Sequence, residues 1–126
     1  RMHMLECDSL SETAQQTARK EAERGGPVMV VLDSCHSHAH VLAELELYSK
    51  FVTPESYLVV FDGIVEFFPA EAVFPGRPWG AGDNPLTATQ AFLQNHPEFE
   101  VDTELENKLQ ITAAPKGWLK RLPDHR

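Results

Sequence analysis

Cysteine is nearly absent from this chain: Cys7 and Cys35 are the only two in 126 residues. Two thiols cannot staple a fold, so a disulfide scaffold is excluded and the cytoplasm is the expected compartment. Basic residues are also few, with 11 Lys and Arg against 19 Asp and Glu and a formal net charge of −8. Nucleic acid and anionic membrane surfaces both attract basic patches, so neither is an expected partner. No apolar run approaches the roughly 20 residues of a membrane span, and no secretory leader is recognisable. Repeats and low-complexity tracts are missing too. What is left is an ordinary globular composition, 42% hydrophobic and 24% charged, at a length suited to one domain, 1–126.

The periodicities alternate. "MHMLEC" (2–7) reads as a short strand, and "DSLSETAQQTARKEAERGG" as a helix. Ser9 and Glu12 have the capping-box spacing, Leu10, Ala14, Ala18 and Ala22 form a thin apolar stripe, and Gly25-Gly26 ends the helix. "VMVVL" (28–32) and "YLVVF" (57–61) are continuous apolar runs of the kind buried in a parallel sheet. Between them "HVLAELELYSKF" places Val41, Leu42, Leu45 and Tyr48 at helical spacing, with glutamates between. Strand, helix, strand, helix, strand predicts right-handed crossovers onto a mostly parallel α/β sheet. Asn84-Pro85 occupy the favoured N-cap and N1 positions of a further helix. "FEVD" and "LQITAAPKGWLKRL" then predict a C-terminal antiparallel hairpin, with a turn at Pro115-Lys116-Gly117.

"VLDSCHSHAHV" (31–41) sets His36, His38 and His40 at every second residue. The strand stops near Asp33 and a helix starts near Ser37 or His38, with Ser37 as N-cap, so these histidines straddle a turn and share no strand face. Their spacing with Cys35 matches no common zinc module. His38 and His40 read as first-turn helix residues, while His36 lies in the turn itself.

Asp33 ends one predicted parallel strand and Asp62 ends the next. Neighbouring strands lie about 4.8 Å apart, so the two carboxylates can converge at the carboxyl edge of the sheet, where open α/β sheets bind ligands. Such a pair suits a hard cation such as Mg²⁺, and it equally suits two helix or turn caps. Residues 66–85 hold four prolines and three glycines without periodicity, the pattern of a long binding loop or of a surface loop that plugs the core. Within it Arg77 and Trp79, in "GRPWG", are best equipped to hold a substrate by charge and by stacking.

The strings "LDS-x-H-x-H-x-HV", "RPWG-x-G-x-NP" and "ENK-L-x-IT-AP-x-G-x-LKR" resemble the cephalosporin hydroxylase family, which also contains rhamnosyl O-methyltransferases. That family has the S-adenosylmethionine-dependent methyltransferase fold. The resemblance implies a partial Rossmann-like, three-layer α/β domain of class I methyltransferase type. It begins at about the third strand and lacks the N-terminal cofactor-binding strands. The only Gly-x-Gly, Gly80-Ala81-Gly82, sits in the long loop. By resemblance, Asp33 and Asp62 are Mg²⁺ ligands, His36 falls at the general-base position, and S-adenosylmethionine is the methyl donor. A histidine suits that role near neutral pH. Where some relatives carry an acid before the second aspartate, this chain has Phe61.

Two functions follow as expectations. One is the metal and substrate side of an O-methyltransferase acting on a sugar or small hydroxylated metabolite, inactive as an isolated chain. The other is a non-catalytic module that self-associates or binds a small molecule. A sheet edge without its neighbouring strand also predicts a homodimer through residues 2–32.

Overall fold

The structure is a computed structural model that describes residues 2–69 and 74–124. Among the described residues four helices, α1 (Glu12–Ala22), α2 (His38–Tyr48), α3 (Pro85–Leu93) and α4 (Thr103–Leu109), accompany four strands. The strands are β1 (Val30–Leu32), β2 (Tyr57–Val60), β3 (Phe99–Val101) and β4 (Trp118–Arg121), with 3₁₀ turns at Ser49–Phe51 and Gly63–Phe67.

The sheet order is β1-β2-β4-β3. β1 and β2 are parallel neighbours joined by α2, the predicted crossover. β4 enters beside β2 and pairs antiparallel with both β2 and β3. The sheet is therefore mixed and mostly antiparallel, which corrects the expectation of a mostly parallel one. That expectation needed a strand at 2–7. Residues 2–6 form no strand, because no neighbouring strand offers them a ladder and the run lacks β-branched residues. The C-terminal β3–β4 pair forms as predicted, and Gly117 N–H donates to the Ala114 carbonyl at 2.9 Å across the predicted turn.

The core lies between the sheet and the helices. Leu32, Leu58, Val60 and Leu119 face Val41, Leu45 and Tyr48 of α2 and Ala88 and Phe92 of α3. Each fully buried side chain of this size contributes about 1.5–3 kcal/mol. Ala18 of α1 packs on the margin of that cluster, and α1 has no buried residue. The expected third layer is incomplete: Met29 and Val31 are exposed at the β1 end of the sheet. At Gly117 the backbone passes so close to β2 that a Cβ would lie 2.1 Å from the Val60 carbonyl oxygen.

Helix starts follow local chemistry, with one shift. α1 is capped by Ser11, whose Oγ accepts from Ala14 N–H at 3.2 Å, rather than by Ser9. Asp8 Oδ1 takes Leu10 N–H at 2.8 Å in a turn just before it, which delays the helix. α3 starts as predicted, with Asn84 as N-cap in a capping box with Thr87 and Pro85 beside it. α2 starts at His38 with Ser37 as N-cap residue, but the Ser37 side chain makes no cap bond.

Candidate active site at the carboxyl edge of the sheet

β1 and β2 run in register, Leu32 beside Val60, and Phe61 N–H donates to the Leu32 carbonyl at 3.0 Å. Asp33 and Asp62 thus leave the sheet side by side. Asp62 turns at once into the left-handed region (φ 59°, ψ 22°), which Asp tolerates better than most residues, and opens the 3₁₀ turn that follows. The turn between β1 and α2 brings His36 over the same spot, where its Nε2 lies 2.9 Å from Asp62 Oδ2. Among the described residues, Asp33, His36 and Asp62 are the one group of three whose ligand atoms gather, all within 4.8 Å of one another. Asp33 is exposed, and the other two are half-buried.

The described part of the long loop packs against His36. Trp79 packs at 5.0 Å from the His36 ring and at 4.8 Å from Phe74, and the Arg77 guanidinium carbon lies 5.9 Å from the Trp79 ring. An open cleft of about 340 Å³ results, lined by Ser34, His36, Phe74, Pro75, Arg77 and Trp79. Part of the loop, residues 70–73, lies outside the described residues.

Three anchors hold the described part of the loop. Gly80 and Asp83 exchange backbone bonds of 2.9 and 3.0 Å. Glu66 accepts from Gly82 N–H at 2.8 Å and from the Asn84 amide, which also donates to the Gly80 carbonyl at 2.9 Å. Asp83 Oδ1 accepts His38 N–H at 2.6 Å, so the loop caps α2 in place of Ser37. His38 Nδ1 also meets Thr87 Oγ1 at 2.8 Å.

All five sequence-predicted site residues, Asp33, His36, Asp62, Arg77 and Trp79, therefore meet in one region. The other two histidines do not join them. His38 ties α2 to α3, and His40 Nε2 contacts Ser9 Oγ at 3.1 Å and Ser34 Oγ at 3.3 Å. Cys35 is exposed and free. Glu66, Asp83 and Asn84 were missed; only the Asn84 cap had a local signal, and it pointed to a helix start. Helical spacing sets the glutamates of α2 between its apolar positions and singles out none of them, yet Glu44 is 2% exposed.

No helix among the described residues is long and apolar enough to cross a membrane. The sequence model of a family described as Rhamnosyl O-methyltransferase/CmcI matches residues 1–122. Over 109 residues the chain is 38% identical to "Rhamnosyl O-methyltransferase" of Mycobacterium tuberculosis (strain ATCC 25618 / H37Rv), covering 86% of this chain and 42% of that protein. It is 36% identical to the protein of the same name from Mycobacterium leprae (strain TN), covering 86% and 44%. The match thus spans less than half the length of these curated relatives. No solved structure matches the chain.

Proposed function

The chain belongs to the rhamnosyl O-methyltransferase/CmcI family, and from that premise we propose that it carries the acceptor and metal side of an O-methyltransferase acting on a sugar hydroxyl. The observation that carries the reading is the gathering of Asp33, His36 and Asp62 beneath the Trp79 loop.

Two carboxylates beside an open cleft fit a hard divalent cation, and Asp33 and Asp62 would hold Mg²⁺. Bound there, the ion supplies Lewis acidity that lowers the pKa of an acceptor hydroxyl. His36 is the base in this reading. Asp62 is an acceptor, so His36 Nε2 carries the hydrogen between them and Nδ1 keeps the lone pair that can take a proton. Trp79 offers an aromatic face to the apolar side of a sugar ring, and Arg77 offers donors to its hydroxyls. His36 and Trp79 support each other's orientation through their ring contact.

Family membership points to S-adenosylmethionine as methyl donor. The residues here do not fit it: the described strands β1 and β2 lead into no glycine-rich turn, and Gly80 and Gly82 serve the loop anchor instead. The isolated chain is accordingly expected to bind S-adenosylmethionine weakly or not at all in calorimetry, and micromolar binding would overturn this assignment of the chain to one side of the site.

A second reading, a non-catalytic ligand-binding module, is favoured by Phe61 at the place where an acid would strengthen the metal site. The compartment we assign is the cytoplasm, on the strength of the exposed free thiols of Cys7 and Cys35.

The test is titration of a methyl rhamnoside in the presence of Mg²⁺, read by tryptophan fluorescence. A saturable change lost in Trp79→Phe supports the acceptor site. No change, or one that persists in Trp79→Phe and therefore reports Trp118, contradicts it.

A further inference from the structure

The turn that carries Asp33 and His36 holds a further polar side chain, Ser34. It stands between two neighbourhoods. On one side Ser34 lines the same cleft as His36, Arg77 and Trp79. On the other its Oγ donates to Glu44 Oε1 at 2.7 Å, and Glu44 is buried on α2. That bond fixes where the Ser34 hydrogen goes. A hydroxyl has one hydrogen and two lone pairs, so with the hydrogen committed to Glu44 the oxygen meets every other group as an acceptor. His40 Nε2, at 3.3 Å, can occupy at most one of those lone pairs. At least one is left over.

The arrangement is tied to the rest of the site. Glu44 sits on α2, whose first turn is held by Asp83 of the same loop that carries Trp79. The partner that orients Ser34 and the aromatic wall of the cleft are thus fixed to one helix.

The cleft therefore has a directional polarity. Ser34 Oγ and His36 Nδ1 offer lone pairs from two positions of one turn. Arg77 offers only donors, and Trp79 offers an apolar face. Asp33 and Asp62 lie beside His36 and Glu44 lies next to Ser34, so a carboxylate entering here meets like charge. A neutral molecule with two neighbouring O–H donors meets two acceptors.

We infer that Ser34 is a specificity-determining residue of the acceptor site: it accepts from the hydroxyl adjacent to the one that His36 serves, and the acceptor is a neutral sugar with two adjacent free hydroxyls. This rests on the reading of His36 and the cation as serving one sugar hydroxyl. Holding the second hydroxyl stops the ring from turning another of its hydroxyls toward His36, so Ser34 selects the position as well as the sugar.

The test titrates methyl rhamnoside and its three ring monodeoxy derivatives into the chain with Mg²⁺, followed by saturation-transfer NMR on the sugar. At least two derivatives, lacking adjacent hydroxyls, are expected to bind roughly tenfold more weakly than the parent, the cost of one lost hydrogen bond in an open cleft. In Ser34→Ala the parent is expected to fall to the level of one of these two, so that this difference vanishes while the other remains. Ser34→Thr keeps the hydroxyl and is expected to bring the difference back. Discrimination confined to one position or to non-adjacent positions, or a pattern that Ser34→Ala leaves unchanged, overturns the role of Ser34 and leaves the acceptor reading standing. Absence of binding by the parent sugar overturns both. Should Ser34→Ala fail to fold, Ser34→Cys, whose sulfur accepts only weakly, takes its place with the same expected result.

Discussion

Removing the Asp83 carboxylate is expected to loosen the site at its hinge. Asp83 Oδ1 accepts His38 N–H at 2.6 Å, 45 residues away in sequence, and does the work that the adjacent Ser37 side chain does not do. Loss of a helix N-cap costs about 1 kcal/mol, within a range of roughly 0.5–2. Loss of a carboxylate facing a helix N-terminus adds about 0.3–1 kcal/mol. Asp83→Ala should therefore lose about 1–2 kcal/mol, a drop of several degrees in the melting temperature of a domain this size. Ser37→Ala should lose close to nothing. The ordering reverses the local expectation, in which the serine next to the helix is its cap. Thermal unfolding followed by circular dichroism measures both. The loop that Asp83 anchors also carries Trp79, so Asp83→Ala should alter Trp79 emission in the folded state as its packing on His36 relaxes. Equal melting temperatures for Asp83→Ala and wild type, or a larger loss in Ser37→Ala, would refute the reasoning.

Further outcomes follow from other parts of the fold. His96 lies between Glu98 and Glu46, each at 3.0 Å, with its ring stacked 3.9 Å from Phe92. Burial opposes its charge, but the hydrogen bonds to Glu98 and Glu46 outweigh burial and raise its pKa above 6.5. Its stabilising contribution is therefore complete below about pH 6.5 and fades as pH rises through the raised value. With both glutamates about half exposed, that contribution is about 0.5–1 kcal/mol, and His96→Gln should flatten this part of the stability–pH curve. An unchanged slope in urea titrations across pH 6–9 would remove the clamp from the account. Phe92 is fully buried between α3 and the sheet, and Phe92→Ala should cost about 3–5 kcal/mol, visible as a lower urea midpoint. Gly117→Ala should be worse tolerated than its size suggests, because its methyl must displace the Val60 carbonyl; a soluble variant of native melting temperature would contradict the close packing at that turn.

The sheet edge that builds the site was readable because its signals are local. Two unbroken apolar runs, each closed by an aspartate and joined by a helix, admit few arrangements other than parallel neighbours. The Asn84-Pro85 start and the C-terminal hairpin were readable for the same reason. Misreadings came where partners decide. "MHMLEC" has strand-like hydrophobicity, but a strand exists only with a neighbour, and none is present for it in the described chain. Without it, β4 between β2 and β3 makes antiparallel pairing the majority. α4 was overlooked although Asp102 is a good cap, its Oδ1 accepting Leu105 N–H at 2.8 Å, and Glu104 and Glu106 sit in the first turn. Glu44 could not be told from the exposed glutamates of its helix, since its burial depends on β1 and on Ser34. Glu66 and Asp83 act across 16 and 45 residues, a reach that no periodicity encodes.

The most direct measurement is a Mn²⁺ titration of the folded chain followed by NMR, because a paramagnetic ion broadens signals near its seat even when affinity is only millimolar. With two carboxylates and Phe61 beside them, affinity for the isolated chain is expected to be weak. The account predicts selective loss of signals from residues 33–36 and 62–63 and from the Trp79 indole, and recovery of those signals in Asp33→Asn with Asp62→Asn. Broadening centred on the acidic first turn of α4, or a pattern unaltered by the double substitution, would contradict it.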